Sequence, residues 1–134
     1  GDAAAGGDSS SVSEQLNQIQ SVSATGSAFA AIKFDGSVVT WGDPASGADS
    51  SSVSELLNQV KSIVATDKAF AAIKLDGSVV VWGDPSSGGD SSAVIDQLED
   101  VRFISATSSA FAAIKADGSV ITGETLYMAQ KAVQ

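Results

Sequence analysis

The chain of 134 residues contains no Cys and no His. The first absence removes disulfides, thiolate nucleophiles and cysteine metal sites. The second removes the commonest general base near neutral pH and the commonest transition-metal ligand. Basic residues are also scarce, 7 Lys and Arg against 16 Asp and Glu, for a net charge of −9. A surface so negative repels phosphate, which argues against nucleic acid and anionic membrane as partners. No apolar run approaches the roughly 18 residues that a membrane-spanning helix needs, so no transmembrane segment is expected. The chain does not open on Met, and it is expected to be processed or cut from something longer.

What the chain does have is a repeat. The stretch Ala28–Trp41, AFAAIKFDGSVVTW, returns as Ala69–Trp82 (AFAAIKLDGSVVVW) and as Ala110–Thr122 (AFAAIKADGSVIT). The spacing from Phe29 to Phe70 and from Phe70 to Phe111 is 41 residues each time, and residues 1–41 share 29 identities with residues 42–82. A fixed period of this size means an array of like units and decides architecture before any propensity argument does. The chain divides into repeats 1–41, 42–82 and 83–123 with a tail, 124–134, and reads as a single repeat domain.

Within each unit two apolar runs flank Asp-Gly-Ser, at Asp35-Gly36-Ser37, Asp76-Gly77-Ser78 and Asp117-Gly118-Ser119. Gly supplies the positive φ of a tight turn, so each pair reads as a β-hairpin whose strands are buried on both faces. A further strand precedes each hairpin, at Ser21–Ala24, Ser62–Ala65 and Phe103–Ala106. Upstream of that, helical spacing over Val12–Ile19, Val53–Val60 and Val94–Val101 predicts a short helix, with a loop leading into the strand as the rival. Ser11-Val12-Ser13-Glu14 and Ser52-Val53-Ser54-Glu55 have the spacing of a capping box. Leu126, Ala129, Ala132 and Val133 predict a helix over the tail that caps the last repeat. The fold expected is mainly β with short helices: three helix-strand-strand-strand repeats in a propeller-like arc or an open solenoid, with a C-terminal capping helix.

Chemistry-bearing motifs are sparse. Asp43-Pro44 with Asp49, and Asp84-Pro85 with Asp90, set carboxylates in Gly/Ser-rich loops, but no Glu closes a calcium site, and the Asp residues read as turn and cap groups. No Lys follows the loop glycines as a phosphate loop requires. Lys33, Lys74 and Lys115 recur with their surroundings, which marks them as parts of the unit. No metal, cofactor or catalytic residue is therefore expected. Trp41 and Trp82 end their strands and either cover the junction between units or meet a ligand or partner. With Phe29, Leu126 and Tyr127 they are the candidate partner or ligand contacts. Three units leave two open ends, and the first, around Val12, Leu16 and Phe29, is expected to meet another protein chain or a second copy.

Ile63-Val64-Ala65, Ala69–Ile73, Asp76-Gly77-Ser78-Val79 and Trp82-Gly83, with their equivalents in the first copy, resemble the repeat of the regulator of chromosome condensation family. The match covers roughly half of each unit. Trp-Gly-Asp-Pro and Gly-x-Asp-Ser-Ser are also similar to compact repeats of algal proteins without assigned activity. The resemblance implies a propeller-type fold that acts by protein–protein contact, with an algal cell or plastid as a setting. The expected function is a non-enzymatic interaction or scaffold module, an accessory subunit docked on a larger assembly. The alternative is a small-ligand or glycan-binding module using the strand-end Trp residues. Guanine-nucleotide exchange, which the family includes, ranks third, since no residue here carries it over.

Overall fold

The computed structural model describes residues 9–84 and 98–122. Strands in this range form three antiparallel three-stranded sheets, one per repeat, each with its strands in chain order. The first holds β1 (Ile19–Ala24), β2 (Ala28–Lys33) and β3 (Val38–Gly42). The second holds β4 (Val60–Ala65), β5 (Ala69–Lys74) and β6 (Val79–Gly83). The third holds β7 (Val101–Ala106), β8 (Phe111–Lys115) and β9 (Val120–Thr122). The AFAAIK run is the middle strand each time. It is hydrogen-bonded on both edges, and in the second unit it is covered on both faces, which is why neither face is polar.

The hairpins form as the Asp-Gly-Ser signal predicts. Gly36, Gly77 and Gly118 take φ of 86°, 87° and 88°. The Asp35 carboxylate accepts the Ser37 amide at 2.9 Å and its hydroxyl at 2.6 Å, and Asp76–Ser78 and Asp117–Ser119 repeat the arrangement. The other turn of each unit is built on threonine. Thr25 Oγ1 accepts the Ala28 amide at 3.0 Å, and Thr66 Oγ1 accepts that of Ala69 at 3.1 Å. A hydroxyl bonding the backbone a few residues on is a common way to fix such a turn.

The expected helices are shorter and tighter than their spacing suggests. They are 3-10 segments, Ser10–Gln15 and Ser51–Leu56, and Ile19 and Val60 already belong to strands. The cause lies at Gln18 and Gln59, whose φ of 55° and 53° turns the chain off any helical path. No capping box forms at Ser52; the segment starts after Ser50, and Asp49 takes the Ser51 amide instead at 3.0 Å. Each first strand opens with an extra residue, Gln20, Lys61 or Arg102, where the pairing register slips by one. That is a β-bulge, and it lengthens the strand beyond the four residues expected. Of the third expected helix, Val94–Val101, residues 94–97 lie outside the described residues; the rest is not helical, since Asp100 has a φ of 56° and Val101 begins a strand. The tail helix lies outside the described residues.

The sheets stack face to face in chain order, with the first strands of successive units side by side, as in an arc of a propeller. One face of each sheet is small and the next sheet's facing surface is large. Ala28, Ala30 and Ile32 meet Leu57, Val60, Phe70, Val80 and Trp82. Ala69, Ala71 and Ile73 meet Leu98, Val101, Phe111 and Ile121. Backbone hydrogen bonds cross both seams: Val60 N–H to Gly36 O and Val101 N–H to Gly77 O, both at 2.9 Å, and Gly26 N–H to Asp67 O and Asp67 N–H to Ser108 O, at 2.8 and 3.0 Å. The hairpin glycine is thus a contact as well as a turn. A Cβ at Gly36 would lie 2.9 Å from the Gln59 Cα, and one at Gly77 would lie 3.0 Å from the Asp100 Cα, whereas Gly118 has no atom within 4 Å among the described residues.

This difference separates turn strain from seam packing. Gly118→Val should cost about 1–3 kcal/mol, the strain of a β-branched residue at positive φ. Gly77→Val carries the same strain and a backbone clash besides, for roughly 1–3 kcal/mol more. Urea denaturation of the two variants measures the gap, and equal losses would remove the Gly77–Asp100 contact from this account.

Candidate functional site

Trp82 is buried in the first seam. Its ring tilts against Phe70 with centroids 5.4 Å apart, and its Nε1–H donates to Gly47 O at 3.0 Å. Gly47 belongs to the connection between the first and second sheets. This connection is tied down where Thr25 Oγ1 donates to Ser46 O at 2.9 Å and Thr40 Oγ1 to Ala48 O at 2.7 Å. Asp43 caps it, accepting the Ala45 amide and the Ser46 hydroxyl at 3.1 Å each. Trp82 is therefore a junction residue, buried between the first and second units. Phe29 and Trp41 form the same ring pair at 5.3 Å on the outer face of the first sheet, where both are half-buried. Leu126 and Tyr127 lie outside the described residues.

A second group of side chains gathers where the hairpins end. Each hairpin tip stands beside the bulge of its own first strand, and the first two stand beside that of the next unit as well, because Val60 and Val101 bond back to Gly36 and Gly77. The bulge residues Gln20, Lys61 and Arg102 are exposed there. Lys33, Lys74 and Lys115 end the middle strands at the same level, so five of the chain's 7 basic residues share one end of the stack. Between them stand large apolar side chains in the open: Phe34 at 71% exposure, Leu75 at 68% and Phe103 at 64%. A depression of about 490 Å³ at the second seam is lined by Lys61, Lys74, Leu75, Asp76, Gly77, Asp100, Val101, Arg102, Phe103 and Ala116. A smaller one of about 200 Å³ repeats it at the first seam, between Phe34 and Gly36 on one side and Lys61 and Leu75 on the other. Among the described residues no three or more His, Cys, Asp or Glu stand together as metal ligands.

No protein-family model and no curated protein sequence matches the chain. Solved structures do. Yeast RCC1 (Prp20), in its complex with Kap60, superposes with a TM-score of 0.58 at 16% identity, over 78% of this chain and 29% of that one. Human WBSCR16 does so at 0.58 and 17%, over 81% and 35%. The ectodomain of the Physcomitrella patens receptor kinase CR4 gives 0.53 and 19%, over 78% and 29%. The chain thus spans about a third of the length of each. The fold is an RCC1-like β-repeat.

An RCC1-like stack presents the same tip at every unit, so differences between units show where the chain departs from mere repetition. The AFAAIK strand and the Asp-Gly-Ser turn are identical in all three copies. The tip positions are not: Gln20, Lys61 and Arg102 share one place, Ser21, Ser62 and Phe103 another, Phe34, Leu75 and Ala116 a third. Lys61, Arg102, Leu75 and Phe103 were not among the residues singled out by motif. Their signal in the sequence is this divergence within an otherwise constant frame.

The tip carboxylates are held ionised. The Ser hydroxyl and amide beside Asp35, Asp76 and Asp117 lower each pKa below the ordinary 3.8, with a smaller contribution from the neighbouring Lys. A carboxyl whose pKa is depressed in the folded state stabilises the fold above its unfolded pKa, and that contribution is lost as pH falls through the folded value. Ser78→Ala removes the hydroxyl donor and leaves the amide. The Asp76 pKa should then rise toward 3.8, and acid unfolding should begin at a higher pH than in the unaltered chain. Side-chain NMR titration reads the first effect, and an unshifted Asp76 curve would show that the hydroxyl does not hold the turn.

Proposed function

We propose that the chain is a non-enzymatic protein-interaction module, an accessory subunit of a larger assembly, which docks its partner on the hairpin-tip end. The row Phe34, Leu75 and Phe103, interleaved with Lys61, Lys74 and Arg102, carries this reading. Exposed large apolar side chains rimmed by charge are typical of protein-binding patches, and a few such side chains supply most of the energy of an interface. Five basic residues share this end with the carboxylates of Asp35, Asp76 and Asp117, so the patch suits a partner segment that carries charges of both signs beside apolar anchors. The likeness to yeast RCC1, a protein held by Kap60 in its solved structure, supports the same class of role. The open end faces of the stack offer further places for another chain.

The test uses residues that the protein already tolerates at the same places. Phe103→Ser copies Ser21 and Ser62, and Phe34→Ala and Leu75→Ala copy Ala116. The triple variant should keep the melting temperature of the unaltered chain and lose its partner on affinity purification from the cells that make it. Loss of about 2 kcal/mol at one anchor is roughly 30-fold in affinity. The same partner captured in undiminished yield by the triple variant would sink the assignment.

A further inference from the structure

Two rows of side chains run along the hairpin-tip end, and each unit adds one member to each row. The bulge row is Gln20, Lys61 and Arg102. The three differ in charge and agree in one property, an N–H donor at the end of a long stem. All three are exposed, and none has a side-chain hydrogen bond or an ion pair among the described residues. The apolar row is Phe34, Leu75 and Phe103. In the third unit Ala116 stands where Phe34 and Leu75 do, and Phe103 replaces a serine on the adjacent strand, so the unit keeps one large apolar side chain. Lys61 and Leu75 line the depressions at both seams, which makes one groove that crosses three units. Both seams lie inside the chain, so a further unit on either side would lengthen this groove and leave these walls in place.

Spacing and hydrogen bonding together select the occupant. Sheets stacked face to face repeat at about 10 Å, so each row sets one side chain about every 10 Å along the stack. A β-strand repeats one face every second residue, about 6.6 Å, and falls out of step. A polyproline II segment turns once in three residues and rises about 9 Å in that turn. An α-helix returns to the same face after seven residues, about 10.5 Å, but its carbonyls are occupied by its own hydrogen bonds. A polyproline II backbone makes no internal hydrogen bonds, so its carbonyls are free to accept from a row of donors. We propose that the tip groove binds an extended, proline-containing segment of another protein in the polyproline II conformation, with an apolar residue at every third position. The apolar residues of that segment lie against Phe34, Leu75 and Phe103, and its carbonyls accept from Gln20, Lys61 and Arg102. Such a segment loses little chain entropy on docking, because it holds this conformation beforehand. This rests on the reading of the tips as the docking end and names the chemistry of what docks there.

Selection of short random displayed peptides on the intact chain tests this, with the Phe34→Ala, Leu75→Ala, Phe103→Ser variant as the counter-selection. Peptides held by the unaltered chain and lost by the variant should carry apolar residues three apart with proline between them. Their circular dichroism, measured on the free peptides, should show polyproline II. The donor row is tested at Lys61, an exposed position where substitution should leave the melting temperature unchanged. Lys61→Gln copies Gln20 and keeps a donor, so a selected peptide should bind within about twofold of its original affinity, whereas Lys61→Met keeps the stem alone and should weaken binding by roughly 3- to 10-fold. Equal weakening by the two variants would overturn the donor row. Selected peptides with apolar residues two or seven apart, or a selection that yields no peptide lost by the triple variant, would overturn the proposal. If the triple variant nevertheless loses the natural partner, the tips remain the docking end and the extended segment alone is withdrawn. If it keeps that partner, both readings fall.

Discussion

The approach of one backbone to the next at the hairpin glycine is the constraint on which the stack depends. Gly36 and Gly77 must be glycine for two independent reasons, a positive φ and a neighbouring Cα about 3 Å from where a Cβ would sit. Because the tip sits so close, its carbonyl can take the first amide of the next strand, and the large residues that follow drop onto the small face behind it. A three-stranded sheet of about 25 residues cannot bury both of its faces alone. The seam is what makes each sheet stable, and the alternation of Ala with Ile, Phe and Trp is its sequence form.

The same contact places the hairpin-tip end. To bring Val60 under Gly36, the chain must leave its 3-10 segment abruptly, and it does so through a left-handed Gln59 and a bulge at Lys61. A bulge turns the extra side chain away from the ladder, so Lys61 and Arg102 are aimed outward by the device that forms the seam. The exposed Leu75 lies just before the turn on the same rim. Position at the tips is thus fixed by packing while identity is free. Three copies of one frame can carry three different surfaces.

The sequence disclosed the frame well because its signals are local and strong. Asp-Gly-Ser between apolar runs names a hairpin, and three occurrences at one period name an array. The misread helix shows where such reading stops. Val53, Leu57 and Val60 have helical spacing, yet Leu57 and Val60 are buried from a 3-10 turn and a strand, on either side of a residue with positive φ. Nothing in the side chain of Gln59 announces that conformation, since it is imposed by tertiary contact with the tip of the previous unit. The Thr turns have a clear local cause in the sequence: Thr25, Thr66 and Thr107 each stand three residues before the repeated Ala-Phe.

The candidate site was less legible for a physical reason. Binding surfaces of repeat proteins are made of whatever the frame leaves exposed, so they carry no motif of their own. The Trp residues drew notice because large aromatics so often mark interfaces, and Trp82 is indeed at one, but within the chain. Phe103 stands where the sibling repeats have serine, and it is 64% exposed. Exposing a phenyl ring where serine serves twice costs solubility and adds nothing to the seam. A feature that packing does not require, set on a rim that packing holds rigid, is what a binding surface looks like in a protein built by repetition.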